Sequence, residues 1–459
     1  MKRFLYAFLY ALLVVVLFLI LREFFPKNAE FLRYFLFFLL FDVYLWWSVK
    51  GSIINKNPFI RGLLALLYWL PLGLLTGLVV YGYLHSFLHW NLFLRIYSQS
   101  LVLTFFIAKV FPIFTLLLSD LIRWLEVSFH LIFPENPRWT LHPVRIKGLL
   151  NLGWILGGIT FILLLAGSIY GQFRFKTTKI DLIINELPAS FDGLRIVQVS
   201  DVHLGSWSSE KRLRDAVLRV NDEKPDLLFI TGDLFTFCTA DGDRYFKVLK
   251  MLRAKEGIYY VMGNHDYGDY LNWKDTLVKR KNMTDLEQFF KMLKWNLLRN
   301  DHQILHRRND SIAVIGVENW GITKRFQRFG DVGMAQKGIE KIKIKLLLTH
   351  DPTHWEYIVS KQFKDIDVTF SGHTHGGQIG FEWKEFRWGP ALLMQKYWCG
   401  LYKTNDGTSS QYLYVNQGLG TVAYAGRIGI DPEITVFTLK KSGAGVSGNI
   451  EKICKLTQY

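Results

Sequence analysis

Five short motifs follow one another in fixed order through the C-terminal half of this chain, and each closes a run that reads as a buried strand. The motifs are Asp201-Val202-His203, Gly232-Asp233, Gly263-Asn264-His265-Asp266, His350 and Gly372-His373-Thr374-His375. The runs before them are Leu194–Ser200, Leu227–Thr231, Ile258–Met262, Ile342–Thr349 and Ile366–Ser371, all short and rich in β-branched or apolar residues. Central strands have this composition. Motifs at strand C-termini stand where open α/β folds place their ligands. They supply carboxylates, imidazoles and one amide, which is the donor set of a two-metal hydrolase.

A pair of Mn, Fe or Zn ions needs hard oxygens, imidazole nitrogens and one donor shared between the ions. In Asp201-x-His203 and His373-x-His375, alternate residues beyond a strand can point the same way and give one ion two donors. Asp233 follows a glycine that lets the backbone turn sharply, and its carboxylate can bridge. Asn264 offers an amide oxygen and His350 an imidazole. Adjacent His265 and Asp266 read as an acid and the carboxylate that orients it. Asp-x-His or Gly-Asp alone is weak; all five motifs in this order, each after a strand-like run, arise by chance very seldom. Five of the eight histidines beyond residue 170 fall in motif positions. The other three, His302, His306 and His354, have no partner at ligand spacing and read as ordinary core or surface residues.

The N-terminal part has a different character. Residues 1–170 hold 14 of the 55 basic residues and 6 of the 39 acidic ones. Both parts come out at about +8, and neither shows the concentrated basic stripe of a nucleic-acid binder, so no nucleic-acid partner is expected. The excess favours an anionic lipid surface or a phosphorylated substrate. Phe4–Leu21 is an uncharged apolar run with no small-residue cleavage site after it, so it reads as a span rather than a signal peptide. Tyr34–Val49, Leu63–Leu84, Leu101–Leu118 and Leu149–Tyr170 continue the series, giving an all-α transmembrane domain of about five helices, or four. Asp42 and Lys109 lie inside two of these runs. A pair lining a site is one reading. The preferred one places each near a helix end, snorkelling to the interface. With the N-terminus inside, nine Lys and Arg fall inside and seven outside, which favours a multi-pass protein of the cell (inner) membrane with its C-terminal domain outside the cytoplasm.

The segments Ser200-Asp201-Val202-His203-Leu204-Gly205, Thr231-Gly232-Asp233, Gly263-Asn264-His265-Asp266, Thr349-His350-Asp351 and Gly372-His373-Thr374-His375-Gly376-Gly377-Gln378 resemble the calcineurin-like metallophosphoesterase family, in its membrane-anchored bacterial branch. The resemblance covers roughly residues 180–440 and implies a four-layer α/β/β/α sandwich with metals at the strand ends. It implies a first ion held by Asp201, His203, Asp233 and His375, and a second by Asp233, Asn264, His350 and His373. It gives His265 the leaving oxygen, with Asp266 behind it. The expected domains are 1–170 in the membrane, a short basic linker at 171–179, a catalytic domain at 180–440 and a mobile tail at 441–459.

The expected activity is hydrolysis of a phosphodiester or pyrophosphate, lipid-linked or from the envelope, by a hydroxide bridging the two ions. Two alternatives are a phosphoesterase for soluble or cyclic nucleotides anchored by its helices, and a non-catalytic membrane sensor or transporter. Substrate choice falls to insertions. Phe381–Leu401 carries Phe381, Trp383, Phe386, Trp388, Tyr397 and Trp398 with Lys384, Arg387 and Lys396 between them. That is either a lobe for lipid, acyl or base, or a packed hairpin cap. Lys341, Lys343 and Lys345 alternate as the solvated face of a strand does.

Overall fold

A computed structural model describes residues 29–85, 90–132, 145–271, 273–323, 326–383, 386–404 and 411–442, together with Leu12, Val15 and Leu19. The chain divides into two compact units, Met1–Asn91 with Ser98–Leu165, and Leu92–Tyr97 with Ala166–Tyr459.

The first unit is helical. Helices α1 (Ala29–Ile53), α2 (Pro58–Leu84), α3 (Leu92–Ile132) and α4 (Lys147–Ile169) cover four of the five apolar runs. The first run, Phe4–Leu21, lies outside the described residues except for Leu12, Val15 and Leu19. Among the described residues, three segments are long and apolar enough to cross a membrane: Pro58–Gly82, Leu92–Phe129 and Lys147–Phe173. Pro71 and Pro112 stand inside α2 and α3.

Asp42 and Lys109 do not snorkel apart. Lys109 Nζ donates to Asp42 Oδ1 at 2.8 Å and to the Tyr68 carbonyl at 3.2 Å, while the Tyr68 hydroxyl donates to the Asp42 carbonyl at 2.6 Å. Both charges are buried. The reading that placed each at a helix end is corrected here. Their runs sit side by side, and two charges that must leave water are tolerated only when each satisfies the other. A second cluster joins α1 and α3: Arg145 grips Asp120 with two bonds of 2.8 and 2.7 Å, and the Tyr44 hydroxyl donates to the same carboxylate at 2.6 Å.

The second unit is a two-sheet sandwich. In chain order its strands are β1 (Lys176–Ile184), β2 (Arg195–Val199), β3 (Leu227–Thr231), β4 (Ile258–Val261), β5 (Asn296–Leu297), β6 (Asp301–Arg307), β7 (Asp310–Gly316), β8 (Lys345–Leu348), β9 (Val368–Ser371), β10 (Phe381–Trp383), β11 (Phe386–Trp388), β12 (Gly400–Lys403), β13 (Tyr412–Val415) and β14 (Glu433–Lys441). One mixed sheet runs β1-β14-β2-β3-β4-β5, the other β12-β13-β9-β8-β7-β6, and β10-β11 is a separate ribbon. Apolar side chains from both sheets, among them Phe229, Phe370, Tyr414 and Phe437, fill the space between them. Helices α5 (Glu210–Asp222) and α6 (Thr276–Leu293) bury their apolar residues in a cluster with the first sheet. Val332, Ala335, Trp355 and Val359 do so with the second. The outcome is the α/β/β/α arrangement expected of a metallophosphoesterase.

β1 starts at Lys176 and pairs with β14 from its first residue, Lys176 against Glu433. The segment expected as a linker is therefore partly strand: Thr177 and Thr178 are β-branched, and the flanking Lys176 and Lys179 suit the edge position that β1 takes. Lys345, expected on a solvated face, is buried and paired with Asp365; Lys343 does stay exposed, against Glu186.

The Asp42–Lys109 pair yields a stability prediction for the intact protein in detergent. Lys109→Met strands a buried carboxylate and should cost about 3–5 kcal/mol. Asp42→Asn with Lys109→Met should recover most of that. A single variant as stable as the parent in thermal unfolding would show the pair to be incidental.

Candidate metal centre

Parallel pairing explains why the motifs meet. β2, β3 and β4 run parallel in one sheet, and β8 and β9 run parallel in the other. Their C-terminal ends therefore fall along one edge of each sheet. The two edges are stitched beneath the site by Gln198 of β2, whose amide donates to Thr231 Oγ1 at 3.0 Å and to the Ser371 carbonyl across the sandwich at 2.9 Å.

Beyond the strands the backbone turns abruptly. Asp201, His203, Asp233, His373 and His375 all have positive φ, between 47° and 72°. Non-glycine residues adopt this region rarely, Asp and His more readily than β-branched types, and clusters of such residues mark functional sites. Glycine is required next to them: a Cβ on Gly263 would stand 2.2 Å from Asp233 Oδ1.

The side chains converge into overlapping groups of donors that could each hold a metal ion. These are Asp201, His203 and His375; His203, Asp233 and His265; and Asp233, His350 and His373. His203 Nε2 and His375 Nε2 face each other at 3.1 Å, and His375 Nε2 lies 3.4 Å from Asp201 Oδ1. Asp233 Oδ2 is 3.1 Å from His350 Nε2 and 3.6 Å from His203 Nε2, so it belongs to both clusters. His373 Nδ1 is 3.2 Å from His350 Nε2. Asn264 is fixed by its Nδ2, which donates to the Tyr270 hydroxyl at 2.7 Å. Its amide oxygen is buried with no hydrogen-bond partner. A buried, unsatisfied acceptor is costly and calls for an explanation; a cation beside it supplies one.

Burial, and then the neighbouring His265, drives His203 well below the usual imidazole range; burial and then Arg427 do the same to His375. Both are thus neutral, the form that ligates metal. For His350, burial also opposes the charge, but Asp233 and Asp201 outweigh it and hold the ring up to about 10.

A model of the calcineurin-like phosphoesterases matches residues 194–377, and one described as a probable calcineurin-like phosphoesterase transmembrane domain matches residues 28–172. The chain contains a calcineurin-like phosphoesterase domain at residues 194–377. The chain is thus a membrane protein carrying a domain of a metal-dependent hydrolase family. It is 29% identical over 294 residues to the transmembrane protein with metallophosphoesterase domain of Danio rerio, covering 62% of either chain. An uncharacterized metallophosphoesterase of Bacillus subtilis is 29% identical over 304 residues, which are 63% of this chain and 96% of that one. A UDP-2,3-diacylglucosamine pyrophosphatase of Chlamydia muridarum is 27% identical over 281 residues, which are 53% and 83%.

One expected pairing within the phosphoesterase domain is absent. Asp266 does not stand behind His265. The His265 ring is held through Nδ1 by the Thr236 carbonyl at 2.7 Å and stacks on Tyr270 at 3.9 Å between centroids. The Asp266 carboxylate instead accepts from Asp233 N at 3.0 Å, Gly263 N at 2.8 Å, Phe235 N at 3.2 Å and the Tyr260 hydroxyl at 2.5 Å. Adjacent residues at a tight turn point apart, so sequence neighbours need not be contact neighbours. Asp266 fastens the two turns that carry Asp233 and Asn264. His302 and His354 are satisfied elsewhere, by the Ala335 carbonyl at 2.8 Å and Thr349 Oγ1 at 3.0 Å. His306 lies on β6, with its side chain exposed.

Arg427 was not singled out from the sequence, where it is one arginine in a glycine-rich turn. It is buried, and its guanidinium donates to the carbonyls of His375 at 3.2 Å, Gln417 at 2.8 Å, Gly418 at 3.2 Å and Gly420 at 2.7 Å. Its own amide donates to the Gly167 carbonyl near the end of α4 at 3.2 Å.

The Asp266 network separates two roles experimentally. Asp266→Ala leaves three buried amides and a hydroxyl without their acceptor and should cost about 3–5 kcal/mol. His265→Ala should cost within about 1 kcal/mol. If instead Asp266→Ala melted like the parent and only slowed turnover, the orienting role would be restored.

Proposed function

We propose that this chain is a membrane-bound dinuclear-metal phosphohydrolase that cleaves phosphodiester or pyrophosphate bonds in lipid-linked or envelope substrates. The observation that carries the reading is Asp233, one buried carboxylate shared by two clusters of donors, with the orphaned Asn264 oxygen beside them. In this reading Asp201, His203, Asp233 and His375 hold one divalent ion, and Asp233, Asn264, His350 and His373 hold the other. The donor set suits Mn, Fe or Zn. When bound, such ions neutralise charge on phosphoryl oxygens and bring the pKa of a coordinated water from ~15.7 to about 7.

The chain's own residues do the rest. Thr236 and Tyr270 fix the His265 ring so that Nε2 is left to exchange a proton with the leaving oxygen. Tyr270 also accepts from Asn264 Nδ2, which would leave the amide oxygen available to an ion. Asp266 holds both turns in register. The lipid-linked substrate class draws support from the short path between membrane and domain, since β1 begins three residues after Phe173. It also draws support from the Chlamydia relative, whose name specifies a diacylated sugar nucleotide. The charge bias across the helices, nine Lys and Arg against seven, favours a domain outside the cytoplasm of a cell membrane. A reporter fused to Tyr459 and active on one side only should therefore signal from outside; a cytoplasmic signal would reverse that placement.

Two measurements test the chemistry. Metal content should fall from about two ions per chain to none in Asp233→Ala, whereas His265→Ala should keep its metal and lose about 10²–10⁴-fold in turnover. Retention of both ions by the Asp233 variant would refute the shared-ligand assignment. With Mn²⁺ added, the purified protein should hydrolyse phospholipid-type phosphoesters in mixed micelles. Activity confined to soluble esters would sink the lipid-linked reading and favour a nucleotide phosphoesterase.

A further inference from the structure

The β10–β11 ribbon begins six residues after His375. Its register sets Phe381 opposite Trp388 and Trp383 opposite Phe386. Directly opposed residues of antiparallel strands share a face, as do residues two apart, so all four rings stand on one side of the ribbon. They are 53%, 50%, 65% and 56% exposed in that order, and Leu393 and Met394, just beyond, are more exposed still. The reading of this insertion as a packed cap therefore fails for the ribbon itself, although Trp398 is buried.

The other side of the ribbon is polar and moored. Glu382 accepts from Lys176 Nζ at 2.7 Å and from Arg387 Nε at 2.8 Å, and Arg387 Nη1 reaches Cys399 Sγ at 4.0 Å. Arg387 thus faces inward and is no headgroup contact. Lys176 is the first residue of β1 and stands three residues past Phe173, the last residue of a membrane-span candidate. Three residues reach at most roughly 10 Å. The ribbon is consequently tied, through Glu382, to a residue within three positions of the end of a candidate span.

Trp and Phe on a rigid ribbon suit the boundary between headgroups and acyl chains, and an exposed apolar patch of this kind marks an interaction site. We propose that the Phe381–Trp383–Phe386–Trp388 face, with Leu393 and Met394, seats in the headgroup region of the phospholipid bilayer that the chain's own helices span. Seated there, it holds the motif ending in His375 next to the lipid surface, where phosphoesters borne by lipids lie. This presentation of substrate rests on the function proposed above; the seating does not.

The test uses the full chain in phosphatidylcholine vesicles. Cys238 and Cys399 are buried, so Phe386→Cys in a Cys454→Ser background takes an environment-sensitive fluorophore at one exposed site. Nitroxide lipids labelled near the headgroup should quench the fluorophore by more than about twofold, and aqueous iodide should quench it weakly, as for an interfacial side chain. Strong iodide quenching without lipid quenching would overturn the proposal. So would protection from both quenchers, which would mean that the face covers a bound substrate group or a second copy of the chain. Hydrolysis of lipid phosphoesters, assayed on the same vesicles, keeps the two claims apart. A seated ribbon without that activity removes the functional reading and leaves the surface; activity with an unseated ribbon does the reverse.

Discussion

Asp233 is buried between two clusters of imidazoles, and the ends of both sheets are arranged to keep it there. A carboxylate removed from water is costly unless charge and hydrogen bonds surround it. Here the His265 amide donates to it at 2.8 Å and His350 approaches at 3.1 Å. Its own amide is anchored on Asp266. Asp233 and four of the surrounding site residues hold left-handed backbone, at an order of 1–3 kcal/mol apiece. Strain of that kind persists only where the fold over-determines it. The Gln198 stitch between the sheets and the Asp266 fastening of two turns are the means by which it does so.

The strands and the order of the motifs were legible because they depend on local pattern. Buried parallel strands read as apolar runs, and the five observed strands lie within or on the expected boundaries to a residue or three. Parallel topology then does geometric work that needs no further information, bringing five strand ends together. What was hidden depends on turns rather than strands. Whether Asp266 faces His265 is decided by the dihedrals of a tight loop, and neighbours in sequence give no hint of it. Arg427 was illegible for a related reason: its four carbonyl partners come from segments 375 and 417–420, which only the folded chain assembles.

The membrane unit shows the same limit from the other side. Hydropathy found the helices but could not say that α1 and α3 lie together, and without that neighbour a lone Asp or Lys in a span is best placed at its end. The observed Lys109 bonds to Asp42 and to the Tyr68 carbonyl use partners on two helices at once. In a medium without water, such bonds fix which helix faces which, a specificity that apolar side chains alone supply poorly.

The boundary of the phosphoesterase unit falls at Ala166, inside α4 rather than after it. The Gly167 carbonyl accepts the Arg427 amide, and a Cβ on Gly171 would meet the Arg427 carbonyl at 2.0 Å. The same arginine braces the backbone of His375. The final turn of this span is therefore part of the hydrolase's own fold, and the helix is no interchangeable tether. A foreign anchor grafted at the polar junction would have to reproduce one carbonyl and one bare stretch of backbone before the enzyme could close around its site.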